Sequence, residues 1–182
     1  MMTYECVRAR RSLRLEQAQR WLDEVAEAAG QSFMGPVRSL LATQQAWIML
    51  LRGELDDAGR LAREAFGHAV DFHYDQPDIG AVLEVQAALE FARGRPADAA
   101  RLHGLFAALR GRELPLTATP DLAATAVRVR AEIGDDAYGT AFAEGRAVPS
   151  SDVLQTCRQV FGCEEPSGSR RWTPHPDQTW RL

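Results

Sequence analysis

The sequence predicts an all-α fold: a tetratricopeptide-like stack of antiparallel helix pairs with a helical C-terminal cap. Three observations predict it. A short motif recurs at near-constant spacing, the apolar residues between its copies keep a helical period, and no stretch alternates apolar and polar residues as a strand does.

The motif is Arg-Gly-x-x-x-Asp-Ala. It reads Arg52-Gly53-Glu54-Leu55-Asp56-Asp57-Ala58, and again Arg93-Gly94-Arg95-Pro96-Ala97-Asp98-Ala99, at an offset of 94 − 53 = 41 residues. A fainter copy, Leu13-Arg14-Leu15-Glu16-Gln17-Ala18, places Ala18 58 − 18 = 40 residues before Ala58. Each copy reads as a turn between two helices. Gly53 and Gly94 can take the left-handed conformation that ends a helix. Pro96 falls where the next helix starts and its missing N–H costs little. Ala58 and Ala99 offer small side chains where paired helices approach.

Helices are expected over residues 3–12, 14–29, 36–52, 55–72, 79–93 and 97–111. After each Ala the apolar residues hold helical spacing: Leu61, Ala62, Ala65, Phe66 and Val70, then Leu102, Leu105, Phe106 and Leu109. Residues 112–120 carry two prolines and read as a loop. Thr119 can cap a helix that opens at Pro120 and ends at Gly134. Asp135 to Gly145 forms a shorter helix, and Ser150-Ser151-Asp152 caps a last one through Phe161. The chain therefore divides into a repeat domain with terminal helices, 1–161, and a tail, 162–182, rich in Gly, Pro, Ser and charge. Trp172 and Trp180 would gain by docking that tail on the stack.

Composition narrows the function. Of 182 residues, 46% are hydrophobic and 25% charged, which is ordinary for a globular protein. A formal net charge of −4 supplies no global basic field, so direct nucleic-acid binding is not expected. The start lacks the apolar core of a signal peptide, and no apolar run is long enough to cross a bilayer. A cytoplasmic protein with no membrane partner is expected. The odd cysteine count, Cys6, Cys157 and Cys163, argues for buried or half-buried thiols rather than a disulfide framework. Every basic residue is Arg and there is no Asn, which points to a high-GC genome.

The run Leu83 to Gly104, with Arg93-Gly94-Arg95-Pro96-Ala97-Asp98-Ala99 at its centre, resembles the last repeat of large bacterial regulators. These are the LuxR-type, SARP-type and related signal-transduction ATPases of high-GC bacteria. The segment Ala131-Glu132-Ile133-Gly134-Asp135-Asp136-Ala137-Tyr138 onward is similar to the terminal helices that close those chains. The likeness covers roughly residues 14–155, and its period of about 40 is longer than the usual 34. It implies a superhelical interaction or sensing domain. Without Lys the nucleotide-binding Gly-x-x-x-x-Gly-Lys-Ser/Thr motif is impossible, and no helix-turn-helix is read in the chain, so neither the regulators' ATPase domain nor their DNA-binding domain is expected here.

The candidate binding surface is the concave face lined by the first helix of each pair, because helical repeat stacks curve and bind there. Aligning on the turn glycines puts Thr43, Trp47, Glu84 and Phe91 near that face. Trp47 is the residue type enriched at binding hot spots, although aromatics at helical spacing are mostly core, which favours packing of Trp47 and Phe91 between repeats. His68, Asp71, His73, Tyr74 and Asp75 form the richest polar cluster, but a five-residue His–His spacing does not put two ligands on one helical face. That cluster reads as a solvated loop. His103 reads as a boundary histidine, and Arg8, Arg10, Arg11 and Arg14 as a solvated face beside Glu5 and Glu16. No nucleophile triad, metal-ligand spacing or cofactor motif is present in the pattern, so no catalytic, metal or cofactor residue is named.

The expected function is a non-enzymatic interaction module, regulator-like, that binds a partner peptide, a partner protein or a small effector in its groove. The alternative is a small-molecule-binding enzyme of the cyclase or isomerase type, recruited into specialised metabolism and built on an apolar pocket in the stack. A homodimer that covers an open end of the stack is compatible with either.

Overall fold

Glycines that take positive φ set the turns, and the turns set the stack. In a computed structural model of the chain, residues 7, 9–29, 34–71, 76–111 and 120–163 are described. An N-terminal helix, α1, of which residues 7 and 9–11 are described, precedes α2 (Leu15–Ala29), α3 (Met34–Arg52), α4 (Leu55–Asp71) and α5 (Gln76–Ala92). Then come α6 (Pro96–Leu109), α7 (Pro120–Ile133), α8 (Asp135–Arg146) and α9 (Val153–Phe161). Among the described residues there is no strand, and the fold is all-α. The loop at 72–75, the loop at 112–119 with its proposed Thr119 cap, and the tail from 164 with Trp172 and Trp180 lie outside the described residues.

Gly53 (φ +82°), Gly94 (φ +74°) and Leu13 (φ +56°) occupy equivalent places, each two residues before the next helix starts. Each turn closes with the same pair of backbone bonds. Gly53 N–H donates to Leu50 O (3.1 Å) and Glu54 N–H to Met49 O (2.9 Å). Gly94 N–H donates to Phe91 O and Arg95 N–H to Glu90 O, and Leu13 N–H donates to Arg10 O and Arg14 N–H to Ala9 O. This double bond pattern satisfies carbonyls that a helix end would otherwise leave bare. The faint first copy of the motif is thus a true turn, built on a leucine where the others use glycine.

A fourth turn follows the same spacing. Gly134 (φ +82°) lies 134 − 94 = 40 residues after Gly94 and joins α7 to α8. The stack therefore has four pairs, α1–α2, α3–α4, α5–α6 and α7–α8, with α9 added. The fourth position of each second helix is buried: Ala18, Ala58 and Ala99 are fully covered, and Tyr138 takes the place in α8. The motif arginines tie neighbouring pairs. Arg52 Nη2 meets Glu16 at 2.8 Å, and Arg93 Nη2 reaches the equivalent Asp56 at 3.8 Å and donates to Leu55 O at 3.1 Å.

Helices α3 and α5 begin two and three residues earlier than periodicity predicts. Pro36 and Pro77 fall in their first turns, where a proline removes no intrahelical bond, so these residues start helices rather than precede them. The main core joins α3–α6 to Leu122 of α7 and to Val153, Cys157 and Phe161 of α9. Phe161 stacks on Phe66 with ring centroids 4.5 Å apart, which fixes α9 against the second helices. Burial pushes the Cys157 thiol up to about 12, so it stays protonated and inert.

Helix α8 meets α6 backbone to backbone. A Cβ placed on Gly104 would overlap the carbonyl oxygen of Phe142, and one on Gly145 the carbonyl oxygen of Arg101. Both glycines sit inside helices, where Gly costs about 1 kcal/mol relative to Ala. The close approach offsets that cost through packing.

Candidate functional site

The first helices α1, α3, α5 and α7 lie side by side, and the two ends of that row touch. Arg10 of α1 donates through Nη2 to Asp121 Oδ2 of α7 at 2.7 Å, across 111 residues of sequence. A row of helices whose first and last members meet is strongly curved, and these helices line its concave face.

Arg10 is the hub. Its Nε donates to Gln44 Oε1 of α3 at 3.1 Å, and its guanidinium lies 4.7 Å over the Trp47 ring. Its side chain is 4% exposed, so the charge is desolvated and must be paired. Asp121 supplies the pair and is shared with Arg11, whose Nη2 donates to Oδ2 at 3.0 Å and whose Nε contacts Oδ1 at 3.2 Å. Burial pushes the Asp121 pKa up, but the bonds from Arg11 and Arg10 outweigh it and hold the carboxyl below its ordinary value.

Glu84 of α5 faces this clasp. It is half-buried and makes no hydrogen bond or ion pair within the described residues. Burial raises its pKa from 4.5 to about 7; the charge of Asp121 adds to the rise, while Arg11, Arg110 and Arg10 oppose it. Arg110, at the end of α6, packs 5.5 Å over the Phe106 ring with its buried Nε lacking a hydrogen-bond partner among the described residues. Gly80, one turn before Glu84, leaves room for both: a Cβ there would lie 3.0 Å from Phe106 and 3.7 Å from Arg110 Nε.

The four residues expected at the face are placed unequally. Trp47 and Glu84 join the cluster around Arg10, although Trp47 is only 7% exposed and belongs to the main core. Thr43 is buried; its Oγ1 donates to Ser39 O at 2.7 Å, and Ser39 Oγ in turn donates to Ala65 O of α4. It serves the α3–α4 contact. Phe91 is half-buried at the far end of α5, packed with Ala99, Ala126 and Val129 under the Arg128 guanidinium at 4.8 Å.

Two sequence expectations need correction. Arg10 is not part of a solvated face but the buried centre of the cluster, because it is paired with Asp121 of α7. His103 is not at a boundary: it is 1% exposed and its Nδ1 shares a hydrogen bond with Tyr138 Oη at 3.0 Å. Burial and then the nearby Arg130 charge lower its pKa to about 4, so it is neutral at physiological pH. Among the described residues no three His, Cys, Asp or Glu side chains converge to hold a metal ion. Of the polar loop cluster, residues 72–75 lie outside the described residues, and His68 approaches Glu64 at 3.6 Å on the same helix.

Chemically, the face combines the charges of Arg10, Arg11 and Arg110 with a half-buried carboxyl whose pKa is raised to about 7. It can bind a polar group by hydrogen bonds, or give and take a proton. Comparison with protein-family models, with curated proteins and with solved structures found no match for this chain. None of the described helices is long and apolar enough to cross a membrane.

Proposed function

We propose that the chain is a binding module that takes a partner peptide, a partner protein or a small effector on its concave face, beside Glu84. The observation that carries this reading is Glu84 itself: a half-buried carboxyl, without a partner among the described residues, among Arg10, Arg11, Arg110 and Asp121. Such a carboxyl still reaches solvent, and a donor on a ligand can bond to it in place of water. The Arg10–Asp121 clasp shapes the face before the ligand arrives. The reading agrees with the resemblance to the sensing region of LuxR-type and SARP-type regulators, and with a cytoplasmic setting.

A second reading has one specific observation in its favour. A carboxyl with a pKa of about 7 suits general acid–base work, as a recruited cyclase or isomerase would need. Native mass spectrometry of the protein purified from its own host tests the binding reading and reports its oligomeric state together. The expected spectrum shows a retained peptide, protein or small molecule that Glu84→Gln loses while staying folded. A wild-type spectrum with nothing retained contradicts the proposal, and so does equal retention by the variant. Chemical conversion of the retained molecule by the protein alone would favour the enzyme.

A further inference from the structure

A second polar site lies where α9 packs against α4. A cavity of about 330 Å³ opens there, lined among others by Arg60 and Arg63 of α4, Arg93 and Arg95 of the α5–α6 turn, and two carboxylates, Asp56 of α4 and Glu90 of α5. Four guanidinium groups converge on one small space in a chain whose net charge is −4.

The arginines fall into two kinds. Arg60 and Arg95 are neutralised at the rim: Arg60 pairs with Asp57 and Glu64, and Arg95 with Glu90 and Asp98. Arg63 is oriented by a backbone carbonyl instead, and Arg93 by a backbone carbonyl together with its longer ion pairs. Arg63 Nε donates to Phe161 O at 2.9 Å and makes no ion pair within the described residues. Arg93 Nη2 donates to Leu55 O at 3.1 Å, and its guanidinium also makes longer ion pairs, at 3.8 Å, with Asp56 and Glu90. A carbonyl fixes the direction of a guanidinium without cancelling its charge. Gly59 supports the arrangement, since a Cβ there would come within 2.8 Å of Arg93 Nη2. Glu90 is also held in place, accepting from Gln86 Nε2 at 2.8 Å.

We propose that this cavity binds the phosphoryl group of a phosphorylated small molecule, with Arg63 and Arg93 as its direct ligands. One planar guanidinium satisfies a carboxylate through two parallel bonds. Two fixed guanidiniums that come from different elements suit a tetrahedral dianion, whose oxygens point in several directions. The cavity is at the small end of ligand-pocket sizes, and Phe161 and Val160 of α9 wall it, which favours a small molecule over a macromolecule.

Isothermal titration of the full chain with pyrophosphate, orthophosphate and citrate at low ionic strength tests the proposal, since salt screens such contacts. Pyrophosphate is expected to bind at one site per chain, and Arg63→Gln or Arg93→Gln to weaken it about tenfold, the loss of one charged hydrogen-bonding partner. Gly59→Ala is the second variant. It removes no charge and raises helix propensity, yet it crowds Arg93, so it should fold and still bind more weakly. Absence of saturable pyrophosphate binding would overturn the proposal. So would binding unchanged in Arg63→Gln and Gly59→Ala, or citrate binding more tightly than pyrophosphate.

Discussion

The middle pairs of the stack, α3–α4 and α5–α6, and its last pair, α7–α8, each turn on a glycine of positive φ but pack by different means. In the middle pairs a buried alanine, Ala58 or Ala99, sits at the fourth position of the second helix, and a motif arginine ties each pair to the one before. In the last pair Tyr138 fills the alanine position, and contact shifts to backbone on backbone at Gly104 and Gly145. Side-chain packing leaves a repeat recognisable, because the small residue and its tie recur. Backbone packing needs only two glycines on facing helices, which leaves no period. The difference bears on the site. Helix α7, held against α5 and α6 and joined to α8, carries Asp121 in its first turn, and Asp121 is the partner of Arg10.

Disturbing the glycine crossing should have the largest effect. Gly145→Ala cannot be accommodated without separating α6 from α8, so a loss of about 3 kcal/mol is expected despite the better helix propensity of Ala. Chemical denaturation measures it, and stability equal to wild type would show that the helices do not touch at this point. Ala58→Leu overpacks the side-chain version of the contact and should cost less, about 2 kcal/mol. A cost for Ala58→Leu equal to or above that of Gly145→Ala would erase the distinction between the two modes.

The first turn sharpens the comparison from the other side. Leu13 holds φ +56° where Gly53, Gly94 and Gly134 hold φ +74° to +82°, and it is 69% exposed. Leucine there carries left-handed strain and contributes little packing. Leu13→Gly should therefore stabilise the chain by up to about 1 kcal/mol, read as a raised Tm. A lowered Tm would mean that the leucine side chain matters more than its backbone.

Much of this was legible in the sequence. The turn glycines, the buried alanines and the four-helix core of the middle pairs follow from a period of about 40 and helical apolar spacing. Gly134 continues that period, although the alanine beside it is replaced by Tyr138, which hides the copy. The place of Glu84 on a first helix was also legible, since the turn alignment puts it there. The clasp was not. Arg10 and Asp121 are 111 residues apart, and each has an ordinary local explanation: one lies in a basic run, the other in the acidic first turn of a helix. Only the curvature of the stack brings them together, and curvature accumulates from small rotations between pairs that no motif records.

The smallest expected effect concerns Glu84 and pH. Its folded pKa, about 7, lies above its ordinary 4.5, so the fold favours the protonated acid. That contribution is complete below pH 4.5 and is lost as pH rises through 7. Glu84→Gln imitates the protonated form. It should match wild type in Tm under acidic conditions and exceed it in mildly alkaline buffer; a uniform offset at every pH would point to packing instead.

The account rests on a concave face whose interior carboxyl is set by burial and by the Asp121 clasp, and a carbon-detected NMR titration of the Glu84 side chain measures that most directly. The expected midpoint is about 7, falling when Asp121→Asn removes the negative neighbour and frees Arg10 and Arg11. A midpoint at the ordinary 4.5, unmoved by Asp121→Asn, would contradict the site.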